Sequence, residues 1–257
     1  MIKLRAAGLS DIGRVRRNNE DRFLCDATAM YFGVADGVGG LPGGAEAAQR
    51  TLDEVTLRLR VHHGKAQPDL ETIVHETNEA VQELGRTISP DMGIASTLTF
   101  AHIRGNQLYL AHVGDSRAYL WRKGRLALYT EDHNQGNLAV RNKQIREDEV
   151  EAFLRAQPHL KNAIWQAVGL SPQVFPDAFS IGLMPGDLLL LCSDGLTKHL
   201  SDPEIERMLG APAPDLSSRV VSVIAEANRR GGTDNVSVVL VQVRDSGPVD
   251  EEPTLGG

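Results

Sequence analysis

Four short apolar runs separated by tight-turn dipeptides constrain the fold of this chain more than any other feature. The runs have a period near two and cover residues 96–103, 107–113, 118–122 and 125–129. Gly105-Asn106 and Lys123-Gly124 interrupt them at positions typical of β-hairpin turns. Because parallel neighbours would need crossovers of a dozen or more residues, the pattern predicts an antiparallel sheet.

Helical patterns flank these hairpins. We predict helices over residues 44–61, 69–84 and 215–229, and a further helix starting at Ser201, where a capping-box pattern begins. Further strands are expected at residues 29–35, 175–181, 187–192 and 236–243. Residues 133–161 are highly charged and are interpreted as a mobile or partly helical surface insertion. The sequence therefore predicts an α+β fold, with helices packed outside antiparallel sheet.

Composition excludes several classes of protein. The 257 residues carry 27 Lys and Arg against 34 Asp and Glu, a net charge of −7, which argues against binding to nucleic acid. No apolar run is long enough to span a membrane, and the first residues lack the apolar core of a signal peptide. The separated Cys25 and Cys192 suit a reducing compartment. We expect a cytoplasmic monomer with one domain over residues 1–244 and a disordered acidic tail over 245–257.

Acidic residues recur at the ends of predicted strands, mostly next to glycine or asparagine. The pairs are Glu20-Asp21, Asp36-Gly37, Asp194-Gly195 and Asp234-Asn235. A single Asp-Gly is usually a turn, but several carboxylates can share one site only if a cation compensates their repulsion. Hard divalent cations such as Mg²⁺ and Mn²⁺ prefer oxygen ligands of this kind.

Covalent routes to phosphate chemistry lack their motifs. A cysteine phosphatase needs an arginine six residues after its cysteine, where this chain has Tyr31 and Lys198. A P-loop fails because Ala45-Glu46 stands where Lys-Ser or Lys-Thr is required. No serine lies in a Gly-x-Ser-x-Gly elbow. A metal-activated water is the remaining nucleophile.

Taken together, the motifs resemble the type 2C, or PPM, metal-dependent Ser/Thr protein phosphatases, and in particular their bacterial members. The matching segments are Arg16–Asp21, Val34–Gly40, Met92-Gly93 with Ser96–Leu98, Val113–Tyr119, Thr130–His133, Leu191–Leu196 and Gly232–Val236. They follow the family's order over residues 8–243. The resemblance implies a four-layer α/β/β/α sandwich of two antiparallel sheets flanked by helices.

The same resemblance implies the activity and its cofactors. Members hydrolyse phosphoserine and phosphothreonine by attack of a hydroxide that bridges two Mn²⁺ or Mg²⁺ ions, and bacterial members often bind a third, weaker ion. The substrates would be phosphorylated proteins, with a bacterial Ser/Thr kinase as the opposing partner. Two alternatives stay open: a catalytically silent regulator that binds phosphoproteins, and a phosphatase of small phosphoesters.

Roles in the site follow from the resemblance, residue by residue. Asp36 would bridge the two ions with the Gly37 carbonyl as a further ligand, and Arg16 would grip the phosphate. The remaining implied ligands are Asp194 and Asp234 on one side, Glu20 and Asp21 through water on the other, and Asp132 with Asp194 for the third ion.

Some segments carry no catalytic assignment. Residues 114–117 are interpreted as an architectural strand bend pinned by an Asp–Arg pair. Val38 and Leu41 stand where relatives carry a histidine, so no general acid is named. The flap region, residues 133–168, also departs from the family pattern, for example at Trp165-Gln166.

Overall fold

The computed structural model describes residues 2–61, 68–160 and 163–245. Its strands are β1 (Ile2–Asp11), β2 (Asp21–Asp26), β3 (Tyr31–Asp36), β4 (Leu98–Arg104), β5 (Gln107–Val113), β6 (Arg117–Arg122), β7 (Arg125–Leu128), β8 (Asp177–Gly182), β9 (Leu188–Cys192) and β10 (Val236–Asp245). The helices are α1 (Gly44–Val61), α2 (Leu70–Ile88), α3 (Gln135–Arg141), α4 (Val150–Ala156), α5 (Asp194–Thr197), α6 (Asp202–Gly210) and α7 (Leu216–Arg229). The predicted hairpins are thus confirmed, and the charged insertion contains α3 and α4.

Two five-stranded antiparallel sheets form the centre of the molecule. One has the order β1-β10-β9-β6-β7, and the other has the order β2-β3-β4-β5-β8. Helices α1 and α2 pack on the second sheet, whereas α6 and α7 cover the first. This arrangement confirms the predicted four-layer sandwich.

Three apolar layers explain why the central strands are continuous hydrophobic runs. In β9, Leu189 and Leu191 face the opposite sheet, while Leu188, Leu190 and Cys192 face the helices. Successive side chains of a strand point to opposite faces, and here both faces are buried. A strict apolar–polar alternation is therefore absent from β9.

Turns and caps end the elements where the sequence indicates. Both Gly105 and Gly124 have positive φ, of 61° and 81°, which the hairpin turns require. Helix α6 begins after Ser201, whose backbone N–H donates to the Glu204 carboxylate at 2.9 Å. Helix α7 begins after Asp215, whose side chain accepts from the Ser218 N–H at 2.7 Å.

The last strand, β10, reaches only the first residue of the predicted acidic tail. Asp245 is the last residue of β10, and the rest of the predicted acidic tail lies outside the described residues. None of the helices in the described ranges has the length and hydrophobicity that a membrane span requires.

Candidate active site

An acidic cavity of about 430 Å³ opens between the ends of the two sheets. Its charged lining consists of Arg16, Glu20, Asp36, Asp115, Asp194, Lys198 and Asp234. These residues come from the loop after β1, the end of β3, the β5–β6 connection, α5 and the loop before β10. The strand ends that the sequence singled out therefore meet in space.

Asp36 ends β3 and is fixed by its backbone. Its N–H donates to Thr97 Oγ1 at 2.9 Å, and its carbonyl accepts from the Thr97 N–H at 2.8 Å and from Ser96 Oγ at 3.0 Å. The next residue, Gly37, lets the backbone of Gly44 pack closely against it, because a Cβ on residue 37 would lie 2.4 Å from that backbone. Asp36 is thereby aimed into the cavity with its carboxylate free of these backbone bonds.

Asp21 lies behind Asp36 and does not line the cavity. It pairs directly with Asp36 across β2 and β3 and is 1% exposed. One carboxylate oxygen accepts from Ser193 Oγ at 2.7 Å. Burial, partly opposed by this hydrogen bond, raises the pKa of Asp21 to about 6. Neighbouring Glu20 reaches the cavity wall instead.

Asp194 and Asp234 are held by two cations. Arg16 Nε lies 2.7 Å from Asp234 Oδ1, and its Nη2 lies 2.9 Å from Oδ2. Lys198 Nζ lies 2.5 Å from Asp194 Oδ2 and 2.7 Å from Asp234 Oδ2. Burial opposes ionisation of Asp234, but Lys198 and Arg16 outweigh it and hold its pKa below the ordinary value.

Asp115 is a cavity residue that the sequence interpretation placed in an architectural bend. Burial, together with Asp194 and Asp132, raises the pKa of Asp115 to about 8. The sequence does carry a signal for this position. Asp115 follows the end of β5, just as Asp36 ends β3 and Asp194 follows β9. Arg117 does not pair with it, so the expected Asp–Arg pin within this bend is wrong.

Asp132, by contrast, is not brought to the acidic cavity. Both of its oxygens accept from Arg117, at 2.8 Å from Nε and 2.7 Å from Nη2. It lines a separate cavity with Thr130 and Arg141. In this arrangement Asp132 is bound to Arg117 and is not among the residues that line the acidic cavity.

A buried histidine sets the position of the Asp115 turn. The backbone N–H of Gly114 donates to the ring nitrogen Nδ1 of His133 at 3.0 Å. In return, the backbone N–H of His133 donates to the Gly114 carbonyl at 2.7 Å. The other ring nitrogen, Nε2, lies 3.1 Å from Asp177 Oδ2. Gly114 itself has φ of 109°, a conformation that favours glycine.

The carboxylates of this cavity destabilise one another's charged forms. Burial raises the pKa of Asp36 well above its ordinary value, and Asp21, Asp194 and Asp115 add to the effect. Burial also raises the pKa of Asp194, against the pull of Lys198. A cation that enters such a cluster relieves the repulsion between the carboxylates and stabilises their charged forms.

The donor set fits a hard divalent cation. All the acidic groups offer oxygen, and two oxygens, Asp21 Oδ1 and Asp194 Oδ1, are buried without a hydrogen-bond partner within the described part of the chain. Across the described ranges, no group of three or more His, Cys, Asp or Glu side chains is arranged to hold a metal ion. Arg16 and Lys198 instead occupy oxygens of Asp234, one of the carboxylates in this cavity.

Comparison with known proteins decides the family. Residues 14–237 match the model of the family described as protein phosphatase 2C. The chain belongs to the protein phosphatase 2C family. As a member it is a metal-dependent protein phosphatase that uses Mn²⁺ or Mg²⁺ and acts on phosphoproteins.

Bacterial relatives agree with this membership. The serine/threonine phosphatase stp of Listeria monocytogenes is 32% identical over 243 residues, covering 91% of this chain and 93% of the relative. The serine/threonine protein phosphatase PstP of Mycobacterium tuberculosis is 34% identical over 258 residues, which is 100% of this chain but 48% of that protein. This phosphatase 2C chain thus corresponds to about half of PstP.

Solved structures show the same fold. The catalytic domain of PstP in complex with two manganese ions superposes with a TM-score of 0.78 at 32% identity, covering 95% of this chain and 100% of that one. The serine/threonine phosphatase of S. agalactiae superposes with a TM-score of 0.80 at 31% identity, covering 93% and 99%.

Proposed function

We propose that this phosphatase removes phosphate from phosphoserine and phosphothreonine of proteins and so opposes a bacterial Ser/Thr kinase. The observation that carries the proposal is the convergence of Asp36, Asp194 and Asp234 with Arg16 in one cavity. The named relatives are serine/threonine phosphatases, which supports the choice of phosphorylated side chain.

In this proposal the carboxylates hold divalent cations. Asp36 reaches the centre of the set, with the Gly37 carbonyl beside it, while Asp194 and Asp234 serve one side and Glu20 the other. Asp21, behind Asp36, supports Glu20 and the end of β3. Bound Mn²⁺ or Mg²⁺ would supply a hydroxide nucleophile at neutral pH and neutralise charge on the phosphoryl oxygens.

A third ion would find its ligands differently from the assignment made on sequence. Asp115 lines the same cavity as Asp194, whereas Asp132 is committed to Arg117. We therefore place Asp115 with Asp194 at that position.

Arg16 binds the phosphate in this scheme. Its guanidinium lies at the cavity wall with 40% of the side chain exposed, so an entering phosphate can reach it. The planar fork donates two parallel hydrogen bonds to an oxyanion and orients it for in-line attack.

We further propose that the enzyme acts as a cytoplasmic monomer. Both Cys25 and Cys192 are free thiols. Free thiols are typical of a reducing compartment.

Substitution of the carboxylates tests the function. Asp36→Asn and Asp194→Asn should each abolish Mn²⁺-dependent phosphate release from a phosphothreonine peptide and from p-nitrophenyl phosphate. The reason is that each removes a charged oxygen ligand without changing side-chain size. Asp91→Asn, at an exposed position, is the matched control and should retain full activity.

The same assay separates the alternatives. A wild-type chain that releases no phosphate with Mn²⁺ would be the silent phosphoprotein-binding regulator. Rapid turnover of small phosphoesters with none on peptides would identify a small-molecule phosphatase. Near-normal turnover in Asp36→Asn would refute the metal assignment.

A further inference from the structure

Lys198 places an ammonium group inside the acidic cavity. Its Nζ contacts two carboxylates at once, Asp194 Oδ2 at 2.5 Å and Asp234 Oδ2 at 2.7 Å. Its side chain is 28% exposed, and the two carboxylates are 17% and 12% exposed. The ammonium group therefore bridges, at a partly buried position, the two carboxylates proposed to ligate one divalent ion.

Local structure fixes this arrangement. Asp194 begins α5 and Lys198 follows four residues later at its C-terminal cap, so the two side chains share one face of the turn. The Lys198 N–H donates to the Asp194 carbonyl at 2.8 Å, which anchors the lysine backbone. Asp234 arrives from a loop 36 residues further along the chain.

The oxygens of Asp234 are fully engaged by these contacts. Oδ1 lies 2.7 Å from Arg16 Nε and also accepts from the Asn235 N–H at 2.9 Å. Oδ2 accepts from Arg16 Nη2 and from Lys198 Nζ. A divalent ion can bind Asp234 only if at least one of these cations withdraws.

The two cations differ in what else they can do. Arg16 lies at the rim, more exposed than Lys198, and under the proposed function it leaves Asp234 for the substrate phosphate. Lys198 lies deeper, and both of its contacts are to proposed ligands. An ion pair that only stabilised α5 would need Asp194 alone, as an ordinary i,i+4 pair does.

We propose that Lys198 is a tethered counterion that competes with a divalent cation for Asp194 and Asp234 and thereby weakens metal binding at that position. The inference rests on the proposed function, because it takes these two aspartates as metal ligands. It follows that half-saturation of this side of the cavity requires a higher free Mn²⁺ concentration than it would without the lysine.

The experiment measures metal binding directly. Metal-free wild type, Lys198→Met, Lys198→Gln and Lys198→Arg are titrated with Mn²⁺ by isothermal calorimetry, and free Mn²⁺ is counted by electron paramagnetic resonance. Methionine keeps the length of the apolar stem and removes the charge, whereas arginine keeps the charge. Lys3→Met, on the exposed face of β1, is the matched control.

The expected result is that Lys198→Met and Lys198→Gln bind Mn²⁺ at least tenfold more tightly than wild type. Lys198→Arg and Lys3→Met should stay within about twofold of wild type. Circular dichroism of each metal-free variant checks that it is folded, and two charge-removing variants guard against the misfolding of one.

Each other outcome is decisive. Unchanged or weaker Mn²⁺ binding in both charge-removing variants would overturn the inference, and weaker binding would show that Lys198 supports the site. If wild type still releases phosphate with Mn²⁺ in that case, the proposed function stands while the inference falls. If neither wild type nor the variants bind Mn²⁺, both fall.

Discussion

Arg16 faces two competing anions. In the structure its guanidinium forms a fork on Asp234, and in the proposed reaction the same fork binds phosphate. Because planar guanidinium groups bind carboxylates and phosphates with similar geometry, the same fork can bind either anion.

Removing this fork should mainly weaken substrate binding. We expect Arg16→Ala to raise KM for p-nitrophenyl phosphate roughly tenfold, equivalent to about 1.4 kcal/mol, with a smaller effect on kcat. Steady-state kinetics at saturating Mn²⁺ measure the split. Arg17→Ala, at the exposed neighbouring position, is the control, and an unchanged KM in Arg16→Ala would contradict the phosphate-binding role.

Single residues show what the sequence could and could not reveal about the site. Asp36, Asp194 and Asp234 were identified because each follows or precedes a strand at a recognisable motif. Asp115 has the same kind of position, yet its neighbour Arg117 suggested an internal ion pair. The partner of Arg117 is Asp132 from a later loop, and motif spacing carries no information on that choice.

At the scale of elements, the start of β10 organises the loop that precedes β2. Asn235 is 4% exposed and accepts from the Glu20 N–H at 2.9 Å. Its amide nitrogen donates to the carbonyls of Ile12 and Asn18, each at 2.9 Å. One side chain thus fixes both ends of the segment that carries Arg16.

Truncating this side chain should loosen the loop. We expect Asn235→Ala to lower the free energy of unfolding by about 2–3 kcal/mol, because three hydrogen bonds are lost and their backbone partners are left unpaired. Urea unfolding measures the stability, and steady-state kinetics should show KM raised together with a fall in kcat. Asn142→Ala, at an exposed position, is the control, and wild-type KM and kcat in Asn235→Ala would exclude a positioning role.

Elements with strong local signals were predicted within a few residues, and β1 was not. Helix α1 matches its predicted range of 44–61, and the hairpin strands lie where the turns indicate. The middle of β1 consists of small residues, which weaken its strand pattern. Gly8 in this strand lets the Phe23 ring of β2 approach closely, since a Cβ would lie 2.7 Å from that ring.

For the whole molecule, the number of layers could not be predicted from residue patterns. The run Leu188–Cys192 indicates a strand buried on both faces, but it does not tell whether a helix or a second sheet covers each face. The four-layer expectation came from resemblance to a family, and the apolar layer between the two sheets confirms it.

The stability of the metal-free molecule depends on pH through two buried groups whose pKa values are shifted in opposite directions. Burial raises the pKa of Asp115 to about 8, so its contribution to stability is lost as the pH rises toward and through that value. Burial, reinforced by neighbouring His133, lowers the pKa of His112 from 6.5 to about 4. The unfolded chain therefore binds a proton at this histidine between pH 6.5 and 4 that the folded chain does not.

The stabilisation from neutral His112 is complete above pH 6.5 and is lost as the pH falls toward 4. The shift corresponds to about 3 kcal/mol. His112→Gln removes this contribution, so the gap in unfolding free energy between wild type and variant should narrow by up to that amount from pH 7 to pH 4.5. Urea unfolding of metal-free protein at several pH values measures the gap, with His75→Gln on the exposed face of α2 as control. A gap that stays constant over this range would show that His112 is protonated equally in both states, contrary to its complete burial between Thr99 and the Glu131 carbonyl.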